Sequence, residues 1–146
     1  LASSLNGVIA QRLVRVLCPD CKQPHDPDPA EREMLQLPRG GAHLLFRPEG
    51  CPACAQRGYR GRIGLYELLV VSEAFKATVT REPSIDALRR QAVQDGMRPM
   101  RLAGALQVAQ GTTVMSEVLV LGVPDDAGQV VRIGPGHEVP LGGKLF

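Results

Sequence analysis

The sequence predicts an α-rich chain carrying a small tetracysteine zinc module, with one or two short strands. Three observations carry that prediction. Cysteine occurs only as two C-x-x-C pairs, Cys18/Cys21 and Cys51/Cys54. Residues 72–121 repeat apolar side chains at helical spacing between clear start and stop signals. Residues 18–62, by contrast, are dense in Pro, Gly and Cys and have no core pattern of their own. The 146 residues amount to about one domain with room for a small satellite module.

Composition narrows the function classes. Hydrophobic residues are 44 % and charged residues 22 %, values of a folding chain rather than a disordered one. There are 16 Gly and 12 Pro, which makes the chain loop-rich without making it low-complexity. A net charge of +2, with 3 % aromatics and no Trp, speaks against nucleic-acid binding by bulk charge or by base stacking. No run of 18 apolar residues occurs. The longest uncharged stretch, Leu102–Ser116, carries two Gln, two Thr and a Ser, so no membrane span is expected.

Taken in order, residues 1–17 read as a helix from about Ser4 to Leu17. Leu5, Val8, Ile9, Leu13 and Val16 fall near i, i+3, i+4 spacing, and Gln11, Arg12 and Arg15 lie off that stripe. The chain opens on Leu1, with no basic leader and no cleavage site, which suggests a fragment from the C-terminal side of a larger protein. Within 18–62, Asp28 as N-cap and Pro29 at the first position predict a short helix through Leu37, broken by Pro38-Arg-Gly-Gly. Residues 63–121 begin with a strand over Ile63–Val71. Helices follow: Glu73–Thr80 capped by Ser72, one from Pro83-Ser84 to Gly96 with Ile85, Leu88, Ala92 and Val93 inward, and one from Pro99 to Gly111 with Leu102, Ala103, Leu106 and Ala109 inward. A last one, Val114–Leu121, is expected to be capped by Thr112-Thr113 and closed by Gly122. Together they predict a small helical bundle. Residues 122–146 read as an irregular tail with at most a short hairpin near Gln129–Ile133.

The two Cys pairs carry the chemistry. A C-x-x-C turn aims two sulfurs at one point, and two such turns supply four tetrahedral ligands. Zinc held by Cys18, Cys21, Cys51 and Cys54 uses every cysteine, and the 29 intervening residues add little closure cost. Two disulfides, a thioredoxin-type redox pair at a C-P-x-C turn, and iron held by four thiolates remain as alternatives. Four thiolates close the coordination shell, so the zinc would be structural rather than catalytic. His25 reads as a solvated loop residue, not a replacement ligand.

The second motif is Arg57-Gly-Tyr-Arg-Gly-Arg62. Its guanidiniums, spaced by Gly, suit a phosphate or carboxylate, while the plainer reading pairs them with Glu49 and Glu67 in solvent. No G-x-x-x-x-G-K-[ST], H-E-x-x-H or G-x-S-x-G occurs, so these residues hold no hydrolytic machinery of those kinds.

The blocks Ser3–Cys21, Gly50–Cys54 and Gly58–Leu68, with Leu88-Arg-Arg, Gly96-Met97, Gly111-Thr-Thr and Glu117-Val118, resemble the C-terminal part of the type II secretion and type IV pilus assembly ATPases over about residues 1–121. The resemblance implies the C-terminal helical subdomain of a RecA-like hexameric ATPase, residues 1–17 being the end of the ATPase core. It implies a homo-hexameric cytoplasmic motor, peripheral at a bacterial inner membrane, that uses ATP and Mg(II) and works on inner-membrane platform proteins. In it Cys18, Cys21, Cys51 and Cys54 match the zinc ligands, and Arg12 and Arg62 match arginines near a subunit interface or the nucleotide. The competing expectation is a free-standing zinc-stapled interaction or adaptor module.

Overall fold

The computed structural model describes residues 4–35, 37 and 43–120. The chain runs β1 (Gly7–Leu17), β2 (Gln23–His25), α1 (Pro29–Leu35), β3 (Leu45–Arg47), a 3-10 turn (Pro52–Cys54), β4 (Tyr59–Val70), α2 (Glu73–Arg81), α3 (Ile85–Gln94), α4 (Met100–Ala109) and α5 (Met115–Leu119). Among the described residues there are five helices and four strands, a mixed rather than purely helical make-up. The strands exceed the one or two short ones expected, and β1 and β4 have 11 and 12 residues.

The largest correction is at residues 7–17, which form a strand rather than a helix. β1 pairs antiparallel with β4 from Gly7↔Val70 to Arg15↔Arg62, and an irregularity at Val16 shifts the register to Leu17↔Tyr59. Residues opposite one another share a face of the pleat, so Val14, Ile63, Arg12 and Leu65 lie on one side. Val14 and Leu65 are buried there with Met100. The other side carries Ile9, Leu13, Tyr66, Leu68 and Val70, all exposed. The apolar positions that mimic a helical stripe are thus split between the two faces of a ribbon. β-branched Val8, Ile9, Val14 and Val16 favour the pleat, and the partner strand that decides the matter lies far along the chain.

Local capping explains the helices. At α1, the Glu31 N–H donates to Asp28 Oδ1 at 2.7 Å, and the Asp28 N–H donates to Glu31 Oε2 at 3.0 Å, a reciprocal cap that satisfies two orphan donors. Ser72 Oγ accepts from the Phe75 N–H at 2.9 Å, and Ser84 Oγ from the Ala87 N–H at 3.2 Å. β4 begins at Tyr59, ahead of the Ile63 expected, and ends at Val70.

The helices do not form one bundle. α2 packs on α3, whereas α4 packs on β4 and α5. The main core joins Leu35 of α1, Leu45 of β3, Ala105 and Val108 of α4, and Met115 and Val118 of α5. α4 therefore turns Met100, Gly104, Ala105 and Val108 inward; Leu102, Ala103 and Leu106 are only half-buried and Ala109 is exposed. On α3, Ala87 and Ala92 are buried, Leu88 is half-buried, and Ile85 and Val93 are exposed. Thr113 does not cap α5, whose N-cap position is Val114. The hairpin expected near 129–133, the closure at Gly122 and the tail lie outside the described residues.

Candidate metal centre

Two tight turns build the site. In the first, the Cys21 and Lys22 N–H groups donate to Cys18 O at 3.4 and 3.0 Å, which folds Cys18-Pro-Asp-Cys21 back on itself. In the second, the 3-10 turn lets the Cys54 and Gln56 N–H groups donate to Cys51 O at 3.1 and 2.9 Å. Ala55 and Gln56 take left-handed φ values of 51° and 61° so that the chain can leave the turn toward β4. The two turns are tied by a bond from the Cys18 N–H to Gly58 O at 3.0 Å.

All four Sγ atoms come together within 4.8 Å of one another. Cys18–Cys51 and Cys21–Cys54 are 3.9 Å apart, and Cys51–Cys54 3.7 Å. Tetrahedral ligands about 2.3 Å from a zinc ion would be about 3.8 Å apart, which these three separations match. Cys18, Cys21 and Cys54 are buried and Cys51 is half-buried. The cluster could hold a metal ion.

The backbone supplies the shell around these sulfurs. The Gly50 N–H donates to Cys21 Sγ at 3.3 Å; the Cys51 and Gly58 N–H groups donate to Cys54 Sγ, each at 3.2 Å. Such donors favour the thiolate. Burial pushes the Cys18 thiol up, and the Cys21 thiol up to about 12. At Cys54 burial also acts upward, but the N–H donors of Cys51 and Gly58 outweigh it and bring the pKa down to about 6.

His25 is not a ligand. It lies in β2, half-buried, with Nε2 3.1 Å from Glu31 Oε2, where a solvated loop was expected. Arg12 and Arg62 are not brought into one place. Arg12 sits opposite Leu65 and Arg62 opposite Arg15, on different faces of the ribbon. Only Arg62 approaches the cysteine cluster, lining a cleft with Cys54, Arg57, Tyr59 and Arg60. Nor do the motif's arginines pair with Glu49 or Glu67: Arg60 reaches Asp20 Oδ2 at 3.7 Å, and Glu67 Oε2 accepts from the Met100 N–H at 2.9 Å.

Contacts missed by sequence reasoning join the cluster to the C-terminal helices. Lys22, next to Cys21, donates through Nζ to Gly111 O at 2.8 Å and sits 4.6 Å from the Phe46 ring centroid. The Leu17 N–H, beside Cys18, donates to Thr112 O at 2.8 Å. In the sequence Gly111-Thr-Thr113 reads as a helix stop and cap and as part of the family resemblance, and no short-range pattern points to these distant partners.

The model of the type II/IV secretion system protein family matches residues 1–120. The chain belongs to that family. Among curated members of it, the Type II secretion system protein E of Pseudomonas aeruginosa is 43 % identical over 119 residues, 82 % of this chain and 24 % of that protein. The Type II secretion system ATPase E of Vibrio cholerae is 40 % identical over the same shares, 82 % and 24 %. The Type IV pilus assembly ATPase TfpB of Acinetobacter baylyi is 40 % identical over 81 % of this chain and 20 % of its own length. The chain thus spans about a quarter or less of these family members. Among the described residues, no helix is long and apolar enough to cross a membrane.

Proposed function

We propose that this chain is the zinc-binding and helical portion of a cytoplasmic ATPase that powers type II protein secretion or type IV pilus assembly. The observation that carries the reading is the four-sulfur cluster, set just beyond the Leu17/Tyr59 end of the ribbon in a chain of this family. The ion bound there is Zn(II), and its chemistry is structural, since four thiolates leave no open position for water. Cys18 and Cys21 fix the end of β1, Cys51 and Cys54 fix the start of β4, and the N–H donors of Gly50, Cys51 and Gly58 hold the thiolates in place. A segment rich in Pro and Gly thereby becomes a rigid shoulder against which Lys22, Phe46 and Leu17 position the turn before α5.

ATP and Mg(II) act in other parts of the full-length protein, since this sequence has no phosphate-binding P-loop. The working form is a homo-hexamer at the bacterial inner membrane, coupled to platform proteins there. Arg12 and Arg62 lie near a subunit interface or the nucleotide of a neighbouring subunit. Elemental analysis tests the metal assignment: about one zinc per chain is expected, and a metal-free, fully folded chain refutes it. In the full-length protein, Arg62→Ala lowers ATP turnover on assembly, and unchanged oligomerisation and turnover remove that role.

A further inference from the structure

Beside the cysteine cluster lies a cleft of about 420 Å³ that the metal assignment does not use. Arg15, Arg57, Arg60 and Arg62 line it, and none of its described lining residues is acidic. Arg15 and Arg62 stand directly opposite across the ribbon, a like-charge pair that a sheet avoids unless an anion offsets it. Arg15 has its anion in Glu117, at 2.6 Å. Arg60 has only the long, exposed contact to Asp20, and among the described residues Arg57 and Arg62 have no ion pair. The one aromatic ring in the lining, Tyr59, has the Arg15 guanidinium over it at 4.1 Å. Recognition in this cleft therefore rests on charge and hydrogen bonding rather than on stacking of a base.

The complement is on the same chain. The segment 26–33 carries Asp26, Asp28, Glu31 and Glu33 against one arginine, Arg32. Glu31 is engaged by His25 and by the α1 cap, and Asp28 Oδ1 accepts from the Glu31 N–H. Asp26 and Glu33 are exposed and have no ion pair among the described residues. We propose that the arginine cleft of one copy receives the acidic segment 26–33 of a second copy. The two patches share no residue, so the contact is heterologous: repeated from copy to copy it closes a ring or extends a filament. This deepens the homo-oligomer reading above, on which it rests, by naming the two surfaces that meet, and it does not depend on which ion the sulfurs hold.

Sedimentation velocity on the zinc-loaded 146-residue chain tests it, with metal content measured in every sample. Self-association is expected at low ionic strength and is weakened about tenfold or more at high salt, as charge-directed contacts are. Arg57→Glu with Arg60→Glu, and separately Asp26→Lys with Glu33→Lys, each abolish self-association, and an equimolar mixture of the two variants restores it. Arg57→Gln with Arg60→Gln, a milder pair that keeps the zinc should the reversal lose it, weakens association about tenfold. A wild-type chain that stays monomeric at low salt with full zinc overturns the inference and leaves the metal assignment standing. So does a mixture that stays apart, or tight binding of inorganic phosphate or ATP without association.

Discussion

Arg15 of β1 grips Glu117 of α5 from three donors: Nε and Nη2 reach Oε1 at 3.0 and 2.6 Å, and the Arg15 backbone N–H reaches Oε2 at 3.0 Å. The same residue offers its carbonyl to Thr113 Oγ1 at 2.8 Å and stacks its guanidinium on Tyr59. One strand residue thus ties the start of β4 to the turn before α5 and to α5 itself. The irregularity between Arg15 and Leu17 coincides with this junction, where the strand leaves regular pairing and enters the first cysteine turn.

Glu117→Gln is expected to destabilise the chain by roughly 1 kcal/mol, a modest figure because the Arg15 side chain is more than half exposed and water screens the pair. The hydrogen bond from Arg15 holds the Glu117 carboxyl below its ordinary value of 4.5. The folded state therefore binds this proton less readily than the unfolded chain. The added stability is present above the ordinary glutamate pKa and is lost as pH falls through the lower, folded value. Thermal melts of wild type and Glu117→Gln should differ at pH 7 and converge in acid; a constant gap across that range counts against the assignment.

Thr113→Val tests the other half of the junction. Thr113 has no exposed surface, and its hydroxyl serves the Arg15 carbonyl rather than a helix N-terminus. Valine keeps the shape and leaves that carbonyl without its donor, at a cost of about 1–2 kcal/mol. Chemical denaturation is the measurement. A variant as stable as wild type would mean that solvent reaches this carbonyl freely.

What the sequence made legible was short-range. Asp28, Ser72 and Ser84 cap the helices they precede, because a cap needs only the next three residues. The two Cys pairs announced a common point, because C-x-x-C spacing fixes a turn whatever surrounds it. The strand identity of 7–17 was not legible, since Val14 and Leu65 become neighbours only once β4 lies alongside. The same holds for Thr113, whose place after Gly111 suggests a cap until Arg15, 98 positions earlier in the chain, claims its hydroxyl. Arg57, Arg60 and Arg62 were conspicuous as a motif, but the cleft they line depends on the ribbon pairing.

Chelation should act on more than the cysteine turns. Structural zinc sites contribute on the order of 10–16 kcal/mol of binding free energy, which for a segment without its own core is folding free energy. If the cluster holds the proposed zinc, removing it, or replacing Cys21 or Cys54 with Ser, is expected to release Lys22 from Gly111 and Leu17 from Thr112 as well. Hydrogen exchange at α4 and α5 should then quicken together with the cysteine turns, while the capped α2–α3 pair changes little. Exchange that quickens only within residues 18–58 would show that the junction is not mechanically coupled to the cluster.

The turn between α4 and α5 offers the sharpest steric test. Gly111 has φ +70°, a conformation that costs a residue with a Cβ, and an added Cβ would come within 2.5 Å of Phe46 Cδ2. Phe46 cannot withdraw freely, since its ring supports Lys22 and its strand pairs with β2. Gly96 provides the control: its φ is +99°, but a Cβ there meets nothing within 4 Å. Gly96→Ala should cost about 1 kcal/mol from the backbone alone, and Gly111→Ala about 2–4 kcal/mol from strain and overpacking together. The excess is specific to Phe46, so adding Phe46→Ala to Gly111→Ala should cost less than the two single changes summed. Additive losses in denaturant titrations would mean that the ring is not what fills the space above Gly111.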